Sequence, residues 1–325
     1  MKALVYEGEE LLRYRDVADA VAGQGEQLVR VEAVGICGSD MHAYLGHDAR
    51  RPAPLVLGHE AAGVVVGGAM DGRRVTVNPL VTCGACPACT SARENLCPNR
   101  QIISMLPREG AFAQYIAMPE RNLVTVPGHV PLARAALAEP LAVGWHAVRL
   151  ALAALHPSEE RRALVIGGGA IGLAAALALR AMGVAEVTIT EPNVARRAFV
   201  AALGEQTVGQ AEGHYPVVID AVGYAATRAT ASALVSPGGV IAHVGLGEDE
   251  GGLDVRRMTL QEVTFIGTYT YTAQDFRDTA AAIYDGRLGA LDWCRHMPLS
   301  DGAAAFAALR RGEIAEPKII LDPWA

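Results

Sequence analysis

Aromatic residues are scarce: five Phe, three Trp and nine Tyr make up 5% of the 325 residues. So thin a supply argues against an all-β sandwich, and with 35 Gly and abundant Ala it points to an α/β enzyme with close helix-to-sheet packing. Basic clusters are missing too. The 28 Lys and Arg are spread along a chain of net charge −7, which leaves no footprint for a phosphate backbone and disfavours nucleic-acid binding. The longest uncharged stretch, Ala163 to Leu179, is broken by three glycines near its start and closed by Arg180. A strand, a turn and a buried helix account for it better than a membrane span. The opening residues, MKALVYEGEE, lack the apolar core and small-residue cleavage site of a signal peptide, so the expected location is the cytoplasm, with no membrane partner. What is present is a foldable chain: 51% hydrophobic and 19% charged residues exclude disorder, and the length predicts two domains.

To about Val126 the pattern is one of short β-prone runs separated by Gly, Pro and polar turns: Lys2 to Tyr6, Gln27 to Ala33, Ala62 to Val66, Arg74 to Val77 and Ala113 to Ala117. After Pro131, Ala-rich and Leu-rich helical stretches alternate with short apolar strands at Ala163 to Ile166, Glu186 to Thr190, Val217 to Asp220, Val240 to Val244 and Val263 to Ile266. That is a βαβ series. Beyond Tyr271 come an amphipathic stretch around Phe276 to Tyr284, the polar segment His296 to Asp301, a short helix and a strand at Lys318 to Leu321. There is no internal repeat.

Four of the six cysteines lie within fifteen residues: Cys83, Cys86, Cys89 and Cys97 form C-x2-C-x2-C-x7-C among Gly and Pro. In a reducing compartment such a cluster points to metal rather than disulfides. Four thiolates suit a tetrahedral zinc, with a [4Fe-4S] cluster as the rival. With no open position and no neighbouring acid or base, the expected role is a structural zinc that stabilises the loop.

A second constellation is scattered. GICGSDMH carries Cys37, Ser39, Asp40 and His42; GHEAAG carries His59 and Glu60; AEPLAVG carries Glu139. A catalytic zinc takes about three N, S or O ligands and keeps one position open, and these segments supply that set. Lone Cys and His residues in such loops are more often ordinary packing.

Gly167, Gly169 and Gly172 form G-x-G-x-x-G after the strand at Ala163 to Ile166 and before an Ala-rich helix, with Glu191 nineteen residues beyond Gly172. The first glycine makes the tight turn, the second lets backbone approach a pyrophosphate, and the third lets helix and strand pack. Glu191 can bond both ribose hydroxyls and would repel a 2′-phosphate, which favours NAD over NADP. Arg196 and Arg197 can lie against the adenine, pair with Glu191 or stand in water, the last being the default. Arg50 and Arg51 can reach an anionic group such as a sugar phosphate, or be solvated.

Taken in order, GICGSD, GHEAAG, the four-Cys lobe, EGAFAQYI, AEPLAV and the glycine fingerprint make the chain resemble the zinc-dependent medium-chain dehydrogenases, and among them the polyol, sorbitol dehydrogenase-like branch. The resemblance implies a mostly-β GroES-like catalytic domain over residues 1–142 and 271–325 and a Rossmann doubly wound domain over 143–270. It implies that Cys37, His59 and Glu60 ligate a catalytic zinc, that Glu139 either ligates or holds a water there, and that Ser39 and His42 relay the substrate proton. Gly167, Gly169, Ile171, Gly172, Glu191, Arg196, Val222 and Leu246 fall at cofactor positions. Two zincs per chain, a secondary alcohol or polyol substrate and a homodimer or homotetramer follow from the same resemblance. Leu253 to Ile266, at the end of the sheet, is an edge that can pair across a two-fold axis, since edge strands seek partners. Two departures stand out. The stretch Val66 to Val75 is short for the family, and sorbitol dehydrogenases carry an Arg in a G-x-F-R-Y segment where this chain has Gly267, Thr268, Tyr269, Thr270 and Tyr271, which argues against sorbitol itself. Within the family a sugar phosphate or a threonine-like amino alcohol is the alternative substrate, and a quinone reductase is a related rival without reason to carry these metal ligands. Outside it stand a non-catalytic NAD- or metal-sensing protein and a zinc-ribbon nucleic-acid binder.

Overall fold

The strand Glu26–Gly35 is the axis of the larger β-sheet in the computed structural model, which describes residues 1–325. Glu60–Val66 pairs antiparallel along one edge of it, while Tyr115–Pro119 and Lys318–Asp322 share the other. Arg74–Val77 and Leu123–Thr125 lie beyond the first neighbour, and Cys294–Pro298 lies beyond Lys318–Asp322. A smaller antiparallel sheet has the order Leu11–Asp16, Lys2–Gly8, Leu55–Val56. The few aromatic rings are spent on the core here: Phe112 meets Phe306 edge-on at 5.9 Å, and Tyr44 meets Phe306 at 5.3 Å. These elements belong to a unit made of Met1–Glu139, Thr272–Gly286 and Trp293–Ala325.

Pro140–Tyr271 and Arg287–Asp292 form the second unit. Its sheet is parallel throughout, in the order Gln206–Val208, Glu186–Thr190, Arg162–Ile166, Tyr215–Asp220, Val235–His243, Thr264–Gly267. The direction of winding reverses beside Arg162–Ile166, the position at which such sheets bind nucleotides. Helices on such a sheet bury both faces, so its central strands are apolar without alternation, as in Ala163–Ile166 and Val217–Ile219. No helix is long and apolar enough to cross a membrane.

The strands read from apolar runs are present, displaced by one or two residues at Tyr115–Pro119 and Thr264–Gly267, and the one read from Val240 begins earlier, at Val235. The polar run near His296 lies partly in a strand, Cys294–Pro298, because its partner Lys318–Asp322 supplies the parallel ladder that its own residues do not announce.

Candidate functional site

Cys37 stands at the junction between the strand Glu26–Gly35 and the helix Gly38–Tyr44, as the N-cap residue of that helix. Asp40, in the first turn and fully buried, accepts the Cys37 N–H at 3.0 Å and the Gly58 N–H at 3.3 Å. Its Oδ1 also lies 3.4 Å from His59 Nδ1. Burial pushes the Asp40 carboxyl up, but His59, then Arg51 and the Cys37 N–H, outweigh it and hold it below its ordinary value. Burial likewise pushes the His59 imidazole down, and Asp40 and Cys37 outweigh that to hold its pKa well above the usual one. A carboxylate on the far nitrogen is the arrangement that orients a metal-binding imidazole.

Donor atoms of Cys37, His59 and Glu60 all lie within 4.8 Å of one another. The sheet register brings them there: Gly35 faces Glu60 on one side and Ile320 on the other. The Glu60 carboxylate is fully buried, its Oε1 accepting a hydrogen bond from Lys318 Nζ at 2.6 Å. The other oxygen, Oε2, is buried without a partner. It sits where a side chain at position 35 would be, since a methyl group on Gly35 would stand 2.0 Å from it. Lys318 Nζ also donates to the Ile36 carbonyl at 2.9 Å. Burial alone would lower its pKa, yet the charges of Glu60 and Cys37 raise it above the ordinary value. A half-buried thiol, a buried imidazole and an unpartnered, buried carboxylate oxygen converging this closely fit zinc. Glu139 is also buried, in the first turn of the helix Ala138–Ala154, but it stands outside this donor cluster. Ser39 and His42 are three residues apart on one helix face, with His42 exposed.

The four-cysteine lobe also converges. Sγ atoms of Cys86 and Cys89 are 3.5 Å apart, as are those of Cys97 and Cys83, and all four lie within 4.8 Å. The N–H groups of Ala85 and Cys86 draw the Cys83 thiol down to about 6, whereas burial and the neighbouring thiols push Cys89 up to about 11. Such a set fits a closed metal site. From the same lobe Glu94 Oε1 accepts the N–H of Ala273, the first residue of the helix Ala273–Tyr284, at 2.5 Å.

In the second unit the glycines carry distinct constraints. A methyl group on Gly172 would stand 1.8 Å from the Gly167 carbonyl, and Gly167 has φ 101° with Val222 against it. Around Gly169, the N-cap of the helix Ala170–Ala181, there is open space, which leaves room for a phosphate at the helix N-terminus. Glu191 is buried behind the loop and accepts from Gly168 N at 2.9 Å and Asn193 N at 2.8 Å. Arg196 lies 3.8 Å from Glu191 Oε2, and Arg197 Nη1 donates to the Glu191 carbonyl at 2.8 Å, so neither simply stands in water. Ile171 and Val222 are half-buried, and Leu246 is exposed. Asp220 fixes the Val222 turn: its Oδ1 accepts from Val222 N and Gly223 N at 3.0 Å, and its Oδ2 accepts from Thr227 Oγ1 at 3.0 Å.

The sequence names Asp40 within the GICGSDMH constellation without a role of its own, and it gives no site reading for Gly35 or Lys318. Lys318 carried a signal nonetheless, as one of two lysines against twenty-six arginines. Arg50 and Arg51 part company. Arg50 is exposed and paired with Asp48 at 2.8 Å; Arg51 is buried and is neither solvated nor turned outward to an anion.

Residues 23–128 match the alcohol dehydrogenase GroES-like domain family and residues 170–285 the zinc-binding dehydrogenase family. The chain is 33% identical over 310 residues to the L-galactonate-5-dehydrogenase of Escherichia coli K12, covering 89% of each protein. It is 33% identical over 296 residues to the sorbitol dehydrogenase of Bacillus subtilis 168, covering 83% of this chain and 82% of that one. The acetophenone reductase of Geotrichum candidum NBRC 4597, solved with NAD, superposes with a TM-score of 0.87 at 26% identity, covering 99% of this chain and 97% of the other. Neighbours of the same fold have been solved with NADH and with NADP.

Proposed function

Because the chain belongs to the zinc-binding, GroES-like alcohol dehydrogenase family, we propose that it oxidises a secondary alcohol of a polyol or sugar acid to the ketone, reversibly, with NAD as the hydride acceptor. The observation that carries the proposal is the convergence of the Cys37, His59 and Glu60 donor atoms within 4.8 Å of one another, with Glu60 Oε2 buried and unpartnered. When bound, zinc supplies a Lewis acid that eases loss of the hydroxyl proton, and the nicotinamide supplies the acceptor for the carbinol hydride. Cys37, His59 and Glu60 hold the metal, with Glu139 as a neighbouring or exchanging carboxylate. Asp40 fixes the His59 ring. Ser39 Oγ takes the hydroxyl proton and His42, one helical turn on, passes it to solvent. Alcohol and NAD thus become ketone, NADH and one released proton.

Cys83, Cys86, Cys89 and Cys97 hold the second, structural zinc. Gly167, Gly169, Ile171 and Gly172 cradle the pyrophosphate, with Val222 and Leu246 along the cofactor. NAD is preferred to NADP because the Glu191 carboxylate, behind Gly168, accepts from the ribose diol and repels a 2′-phosphate. Galactonate and sorbitol name the substrates of relatives, and the polyol or sugar-acid class rests on them; the missing Arg in Gly267–Tyr271 argues against sorbitol. Arg51, one of the two anchors suggested for a sugar phosphate, is buried against Asp48.

The experiment is a panel of polyols, sugar acids, diols, threonine and sugar phosphates, run with NAD and with NADP and with Cys37→Ser beside the wild type. Reduction of NAD by a polyol or sugar acid, lost in Cys37→Ser together with about one of about two zincs, is the expected result. A Cys37→Ser enzyme that keeps both metal and turnover would sink it.

A further inference from the structure

Arg51 is 3% exposed, and its guanidinium spans two segments that sequence places far apart. Nε donates to the Ser104 carbonyl at 3.0 Å, and Nη1 donates to the Ser39 carbonyl at 3.0 Å and to Asp48 Oδ2 at 2.9 Å. Nη2 stands 3.4 Å from Ser104 Oγ and 3.5 Å from Ser39 Oγ. Each target has a role at the site. Ser39 lies in the first turn of the helix on which the proposed relay is built. Ser104, fully buried in a left-handed conformation at φ 71°, has its Oγ 3.4 Å from His59 Nδ1. A left-handed serine is costly unless its surroundings hold it, and here the Arg51 bond to its carbonyl is one of the restraints.

We infer that Arg51 is a positioning residue for proton removal: it ties the Ser104 loop behind His59 to the first turn of the Ser39 helix, so that the hydroxyl receiving the substrate proton keeps a fixed place relative to the metal-holding imidazole. The inference rests on the zinc and relay reading above. The planar fork of a guanidinium is what the task requires. Its donors diverge in one plane toward two carbonyls and a carboxylate, whereas an ammonium presents its donors from a single point. Guanidinium nitrogens only donate, so a contact from Nη2 to Ser39 Oγ occupies a lone pair and leaves the serine hydrogen free to be handed onward. Asp48, whose carboxylate is held below its ordinary pKa chiefly by Arg50 and then Arg51 against the opposing effect of burial, keeps the buried cation paired.

The test compares Arg51→Lys and Arg51→Met with Arg50→Ala, which alters the same loop at its exposed member. In Arg51→Lys and Arg51→Met, kcat for the best alcohol of the panel should fall tenfold or more, with KM for NAD within twofold of wild type and a solvent deuterium isotope effect raised above that of the wild type. A structural role alone would lower thermal stability without moving the isotope effect. Release of zinc to a chromophoric chelator, which needs no substrate, should accelerate several-fold in its faster phase, while Arg50→Ala leaves every readout unchanged. A wild type inactive on every alcohol would fail the functional reading, and the release rates would still report on the strut. Folded Arg51→Lys with wild-type kcat, isotope effect and zinc release overturns the inference. Should neither Arg51 variant fold, Ser104→Gly deletes the hydroxyl beside His59 and relieves the left-handed strain: faster zinc release supports the strut, and an unchanged rate overturns it.

Discussion

A methyl group at position 35 has no room beside the Glu60 carboxylate, because its carbon would stand 2.0 Å from Oε2. That oxygen is the end of a side chain and can swing away, so Gly35→Ala is expected to fold with a cost of about 1–3 kcal/mol. What it should lose is the donor set: metal analysis should find the Cys37 site depleted and kcat down at least tenfold, with the four-cysteine site full. Retention of both metals and of turnover would show that Glu60 does not depend on this clearance. Asp220 makes a different demand. Burial pushes its carboxyl up, but His243, the N–H groups of Gly223 and Val222 and the Thr227 hydroxyl outweigh it, so its folded pKa lies below the ordinary value. A lowered folded pKa means stability that is fully present above the unfolded value of about 3.9 and is lost as pH falls through the folded one. Asp220→Asn should therefore destabilise by about 1–3 kcal/mol at neutral pH, and its deficit should shrink below pH of about 4. Thermal melts at several pH values check this; a deficit independent of pH would contradict it.

Among the elements, the four-cysteine lobe has a mechanical connection beyond its own loop. Through Glu94 it holds the first N–H of the helix Ala273–Tyr284, where a carboxylate also suits the helix dipole. Cys89→Ser should free one zinc and, with it, this cap, lowering Tm by several degrees while activity is lost only as unfolding sets in. Glu94→Ala should reproduce part of the Tm loss with both zincs retained, and an unchanged Tm in Glu94→Ala would uncouple lobe from helix. Local pattern made much of this readable: glycine spacing marked the strand-to-helix turn at Gly167, cysteine spacing marked the lobe, and apolar runs marked the parallel strands. Lys318 and Gly35 were not readable, because their meaning comes from a register between strands distant in sequence. The burial of Arg51 is unreadable for the same reason, since nothing in GHDARRPAP announces the Ser104 loop that covers it.

At the scale of the whole molecule, Thr264–Gly267 ends its sheet with one edge unpaired, and Phe265, Leu260 and Val255 are exposed beside it. Such an edge invites pairing with a second copy. Light scattering should give at least a dimeric mass, and Phe265→Glu should shift it toward the monomer; a monomeric wild type would contradict the pairing.

The placement of Lys318–Asp322 against Glu26–Gly35 has a consequence for how the protein is made. A ribosome delivers the Ile36 carbonyl early and its Lys318 partner 282 positions later. Until then Glu60 has no ammonium beside it, and the sheet lacks both the strand at Gly35 and that strand's parallel neighbour Cys294–Pro298. The second unit, by contrast, has its entire sheet by Gly267. Synthesis should therefore yield a nucleotide-binding half that matures first and a metal-binding half that waits, open at one strand, for the last stretch of translation. Pulse proteolysis of ribosome-stalled chains ending near residue 300 should find the region 140–271 resistant and the region 1–139 cleaved; equal resistance of the two would refute that order.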